Sequence, residues 1–185
     1  MIEGDGLALP AEALAQAKAL LRAGDAGEDA LIGEMLASAA SLCERFTGQV
    51  LIARSFRETL GRRSALAVRS RGWRRLARTP VRSIGTVEAI GPDGAAQALA
   101  PADYALDIDA NGDGWVRTAH AQSGLRIAFE AGLAAGWSDV PEALRHGILR
   151  LAAHLYTFRT DAGAQAEPPA AVTALWRPWR RLRLG

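Results

Sequence analysis

Glu44 to Leu60 reads ERFTGQVLIARSFRETL, and the spacing of its apolar residues changes on the way through. Upstream, Leu31, Ile32, Met35, Leu36, Ala39, Leu42, Cys43 and Phe46 recur at helical spacing, which predicts one long helix with a single apolar stripe. Gly48 supplies its stop. From residue 50 onward the segments VLIARSFRETL, ALAVRS, VRSIGTVEAIG, DYALDID, GWVRT and GLRIAFEAG are short and rich in β-branched or aromatic residues. Gly, Pro and Asp turns separate them, so this stretch reads as a small antiparallel sheet or a set of long hairpins.

Helices are expected on both sides. Pro10 and Glu12 open a first helix with Leu14, Ala17 and Leu21 on one face, and Gly24 ends it. The long helix begins at the acidic cluster Asp25, Glu28 and Asp29, favourable at the positive end of a helix dipole. After the strands, Ser138-Asp139-Val140-Pro141 is a cap followed by proline. Leu144, Ile148, Leu151, Leu155 and Phe158 then carry a core stripe to Arg159. The joint DAGAQAEPP (Asp161 to Pro169) leads to a short helix from Val172 to Trp176, limited by Pro178. The expected class is mainly α with a β-hairpin or small-sheet insertion (α+β), its body built of about four helices.

The chain has 185 residues, 49% hydrophobic and 23% charged, enough for one globular core. No apolar run approaches the ~18 residues of a membrane helix. MIEGDGLALPAEAL is acidic and lacks an apolar signal region, so no signal peptide is expected. One cysteine, Cys43, excludes an intramolecular disulfide framework and fits a reducing compartment. Its place in the helical stripe makes it a small buried hydrophobe rather than a nucleophile.

The formal charge of +2 hides a segregation. Arg54 to Arg82 holds ten arginines against one acid, Glu58, and Arg177 to Arg183 holds four with none. The rest carries eight basic against nineteen acidic groups. A basic block in an otherwise acidic chain points to self-association or to a polyanion.

Catalytic and metal motifs are weak. DIDANGDG (Asp107 to Gly114) has the oxygens and the glycine of a half calcium loop, but its twelfth position is Thr118, not a bidentate glutamate. Strand-like segments flank it, so a glycine-rich hairpin turn is the better reading. His146 and His154 fall on different faces of one helix, and His120 stands alone in a polar loop. There is no HExxH, GxSxG, P-loop or GxGxxG. No enzyme, metal or cofactor is expected. Arg69, Arg71, Arg74, Arg75 and Arg78 flank Trp73, a pattern that can hold phosphate and stack on a base, yet no reading motif surrounds it. Contact with passing DNA and salt bridges to an acidic protein neighbour remain comparable readings.

The order of the pieces is more informative than any one of them. ERFTGQVLIARSFRETL is followed by RTPVRSIGTVEAIGPDG, ADYALD, IAFEAGLAAGWSDVPEALRHGILRLAAHLYTFR and LWRPWRRLRLG. From Leu9 to the end this succession resembles the head–tail connector (adaptor, or head-completion) proteins of tailed bacteriophages and gene transfer agents. The Phe46-Thr47-Gly48 junction, Pro80-Val81, the Val140-Pro141 helix start with Ala153-His154-Leu155-Tyr156, and the arginine-rich end carry the likeness best.

The resemblance implies one connector domain over 1–185: N-terminal helices at 9–48, a β-rich insertion at 50–131, a third helix at 139–159 and a C-terminal docking arm at 168–185. It implies a non-enzymatic virion protein that forms a dodecameric ring between the portal and the stopper or tail-terminator protein, extending the DNA channel. Such a protein is assembled in the bacterial cytoplasm and ends in the neck of a phage or phage-like particle. No membrane partner is implied. Trp176, Arg177, Trp179, Arg180, Arg181 and Arg183 are the expected portal-binding residues, because tryptophan and arginine dominate binding hot spots. The alternative for the two tryptophans is that they fold back onto this chain's own helices. Arg62, Arg63, Arg71, Arg74 and Arg75 are candidates for contact with non-specifically bound DNA in the channel or with neighbouring subunits. The basic stretch as a whole is expected on hairpins or loops, since so many guanidiniums cannot be buried together. The alternative function is a small cytosolic, arginine-rich nucleic-acid-binding regulator.

Overall fold

The changeover at Gly48 is real. In the computed structural model, which describes residues 1–24, 26–61, 72–118, 124–159 and 168–181, Gly48 takes the left-handed conformation (φ 70°) and its N–H closes on the Glu44 carbonyl at 2.9 Å. Beyond it the chain leaves one compact unit for another. Met1–Gly6 and Ile52–Leu133 form a β unit; Leu7–Leu51 and Ala134–Gly185 form a helical unit.

The helical unit contains α1 (Ala11–Leu21), α2 (Asp29–Thr47), α3 (Glu142–Thr157) and α4 (Ala170–Trp176). Along α2, Ile32, Leu36, Ala39, Ala40 and Cys43 are buried, the stripe that the spacing predicts. On α3 the buried set is Leu144, Gly147, Ile148, Leu151 and Ala152. Several boundaries shift. α1 stops at Leu21 rather than at Gly24, because Arg22 itself takes the left-handed position (φ 55°). A 3-10 turn, Ala26–Glu28, precedes α2, and another, Trp137–Asp139, occupies the expected cap of α3, so that Pro141 becomes the residue before the helix. Phe158, expected on the core stripe, falls just past the last helical turn and is 39% exposed. Trp137 is buried instead, its indole Nε1 donating to Gln16 Oε1 at 3.1 Å.

The β unit holds eight strands among the described residues: β1 (Ile2–Gly4), β2 (Arg54–Leu60), β3 (Arg74–Arg75), β4 (Val81–Ile90), β5 (Ala96–Ala98), β6 (Tyr104–Ile108), β7 (Gly114–Thr118) and β8 (Gly124–Ala131). They form two antiparallel sheets, ordered β1-β2-β8-β4-β5 and β3-β7-β6. β8 alternates strictly, with Leu125, Ile127, Phe129 and Ala131 turned inward, and Phe56 opposite Phe129 stacks on it at 5.6 Å. The only acid of the basic stretch, Glu58, is buried on β2, where Oε2 accepts the Ala77 N–H at 2.8 Å.

The fold is therefore α+β with more sheet than the mainly α class expected. β1, β3 and β5 are the strands not anticipated, each two or three residues long and too short to carry a period, while the expected segment ALAVRS lies outside the described residues. Where it is described, the basic stretch lies on strands and turns and nowhere on a helix.

Candidate partner-binding surfaces

Helix α4 is amphipathic over barely two turns, and its buried side chains are Val172 and Trp176. Trp176 is fully enclosed (0% exposed). Its indole Nε1 donates to the Leu144 carbonyl on α3 at 3.3 Å, and its ring tilts against Phe46 of α2 at 5.9 Å. Gly147 provides the slot: a Cβ there would lie 2.2 Å from Trp176 Nε1. Trp176 is thus a core residue of this chain, which corrects its expected place among the portal contacts. An indole with its faces packed and its N–H satisfied has nothing left to offer a partner.

The residues that follow stay on the same body. A 3-10 turn, Arg177–Trp179, redirects the chain across the end of α2. There Gln49 Nε2 donates to the Trp179 carbonyl at 2.6 Å, and the Arg181 N–H donates to the Thr47 carbonyl at 2.8 Å. The Arg180 guanidinium lies 5.6 Å from the Phe46 ring centre, a cation–π contact. Arg177, Pro178 and Arg180 are exposed, while Trp179 and Arg181 are half-buried. The segment is a basic ledge with one aromatic step. Arg183 lies outside the described residues.

The second set falls on the three-stranded sheet. Arg62, Arg63 and Arg71 lie outside the described residues. Arg74 and Arg75 are adjacent on β3 and so point to opposite faces. Arg74 Nη2 donates to the Gly61 carbonyl at 2.6 Å. Arg75 pairs with Asp113 at 3.3 Å and stands opposite Trp115. Two residues beyond Trp115, Arg117 lies 4.9 Å from the Trp73 ring centre. Trp73, Arg75, Trp115 and Arg117 therefore alternate on one face of the sheet, a pattern no single segment of the sequence reveals.

The DIDANGDG segment is the β6–β7 turn, as favoured over a calcium loop. Asp109 Oδ1 accepts the N–H groups of Asn111 (2.9 Å) and Asp113 (3.0 Å), Oδ2 accepts Trp115 Nε1 (3.0 Å), and Gly112 takes φ 73°. Among the described residues no cluster of three metal-ligating side chains occurs. Cys43 is buried, and desolvation pushes its thiol far above the ordinary range, so it carries no nucleophilic character.

No protein-family model matches the sequence, and no curated protein is detectably similar to it. Solved structures are similar over its whole length. A chain in the neck of an empty gene transfer agent particle, computed with C6 symmetry, superposes with a TM-score of 0.77 at 27% identity, covering 100% of this chain and 97% of that one. A chain of the native gene transfer agent virion gives 0.74 at 26%, and one from the native neck computed with C12 symmetry gives 0.70 at 26%, with the same coverage. These gene transfer agent chains share this chain's fold from end to end, which is consistent with the resemblance to head–tail connector proteins carried by the order of the sequence elements.

Proposed function

We propose that the chain is a structural adaptor in the neck of a gene transfer agent, forming a twelve-membered ring between the portal and the stopper or tail-terminator protein. The observation that carries this is the end-to-end match, 100% of this chain on 97% of a neck chain. The whole chain acts as one connector domain, with the basic ledge of Arg177, Trp179, Arg180 and Arg181, together with Arg183, seated on an acidic portal surface. Arginine forks suit that contact because they bind carboxylates in pairs of parallel hydrogen bonds. Arg75 and Arg117 face either passing DNA or a neighbouring subunit, and Arg62, Arg63, Arg71 and Arg74 share that role.

The test is assembly on DNA-filled heads lacking this protein. Purified chain should sediment with them at twelve copies per head, and symmetry-free averages should show a ring on the portal. A nucleic-acid-binding regulator, which no observation favours, would instead shift duplex DNA unaided and ignore the heads. Binding to free DNA with no attachment to heads would overturn the adaptor reading.

A further inference from the structure

The three-stranded sheet has two edges of opposite character. Its order among the described residues is β3-β7-β6, so β3 and β6 are its edges. β3 is the pair Arg74–Arg75. β6 is bordered and interrupted by Asp103, Asp107 and Asp109, with no base among residues 103–109.

The Asp109 N–H donates to the Asp113 carbonyl at 3.0 Å, which sets the alternation along β6. Ala105 and Asp107 turn their main-chain groups to β7; Tyr104, Leu106 and Ile108 turn theirs to the sheet edge. Leu106 and Ile108 are also 37% and 40% exposed, although Val116 and Gly114 opposite them are buried. Outward main-chain donors and acceptors beside exposed aliphatic side chains make a template for another strand.

We infer that β6 of one copy of this chain pairs with β3 of the next, acidic edge to basic edge, so that the small sheet continues from subunit to subunit. The inference rests on the ring proposed above. A second copy is the occupant for two reasons. The complementary charges lie on opposite edges of one sheet, and a head-to-tail ring needs two different, complementary patches on each subunit. The similar chains come from necks computed with six- and twelvefold symmetry. Both β3 and β6 run antiparallel to β7, so copies repeated without inversion bring them together as a parallel pair. Asp107 and Arg75 both stand opposite Trp115, hence on the same face, where the contact between copies brings them side by side.

The experiment uses rings on heads. The double variant Arg75→Cys/Asp107→Cys should give a ladder of covalent multimers on mild oxidation, and each single variant only monomers. The native Cys43 is buried and does not compete. Leu106→Pro removes an N–H that faces the edge and not β7, so the melting temperature should hold within about 3 °C while ring occupancy falls about tenfold. Asp107→Arg should lose the ring, and adding Arg75→Glu together with Asp113→Asn, which removes the carboxylate that faces Arg75 in its own chain, should restore it. That rescue decides the matter even if the proline variant fails to fold. Unmodified chain that makes no ring overturns the ring itself. Complete rings with no ladder, or a charge swap that rescues nothing, overturn the edge pairing alone and leave β6 to another neck protein.

Discussion

Gly147 and Trp176 occupy each other's space: a methyl group at position 147 would meet the indole Nε1 at 2.2 Å. Alanine is the better helix former by about 1 kcal/mol, so Gly147→Ala on an ordinary helix surface would stabilise. Here the ring is locked by its bond to Leu144 and by Phe46, and cannot swing away. The expected net effect is a loss of roughly 1–3 kcal/mol. Urea denaturation decides it, and a variant as stable as the parent would show that α4 is not seated in this slot.

Asp109 holds the β6–β7 turn through three donors, Asn111 N–H, Asp113 N–H and Trp115 Nε1. Asp109→Ala leaves these donors at a part-exposed turn, where water replaces some of the loss, and should cost about 1–3 kcal/mol. Millimolar calcium should leave the melting temperature of the parent unchanged, because both carboxylate oxygens of Asp109, which a calcium loop would need, already accept protein hydrogens. A calcium-dependent rise in melting temperature would contradict the hairpin assignment.

The Tyr156 hydroxyl donates to Glu28 Oε2 at 2.5 Å. That hydrogen bond, with desolvation and the Glu28 charge behind it, raises the phenol above its ordinary range near 10. A raised folded-state value means the contact stabilises fully below the unfolded phenol pKa and is lost as pH rises through the folded one. Absorbance titration at alkaline pH should therefore show a late phenolate component that Tyr156→Phe removes. Stability of the Tyr156→Phe variant should converge on the parent's at the alkaline end.

The sequence exposes those parts of the fold that repeat locally. The α2 stripe ending at Gly48 is legible because apolar side chains recur every three or four residues for five turns. β8 is legible because Leu125, Ile127, Phe129 and Ala131 alternate. β1 is not: Ile2–Gly4 becomes a strand only because β2 offers it an edge, with Gly4 packed where a Cβ would strike the Phe56 ring at 2.4 Å. The candidate site divides the same way. The density of arginine and tryptophan at the C-terminus marks the segment, but the separate fates of Trp176 and Trp179 depend on Gly147 and Gln49, residues distant in the chain. A glycine inside the otherwise strong helix RHGILRL was the one local hint of the slot.

The clamp at the end of α2 separates folding from docking in this tail. Deleting residues 170–185 would uncover the α3 slot and remove a buried indole, so loss of attachment by such a truncation would say nothing about the portal. Arg177 and Arg180 are exposed, and the Gln49–Trp179 and Thr47–Arg181 bonds that fix the ledge use main-chain atoms of the tail. Arg177→Glu/Arg180→Glu should therefore keep stability within about 0.5 kcal/mol per site, giving up at most the cation–π contact with Phe46. Against an acidic portal surface the same reversal turns two attractions into repulsions, which should weaken attachment to heads by at least about tenfold. Raising salt should weaken the parent in the same direction. Undiminished attachment of a folded double variant would move the portal-binding face away from this ledge, and Trp176→Phe provides the control in which stability falls while the ledge charges stay in place.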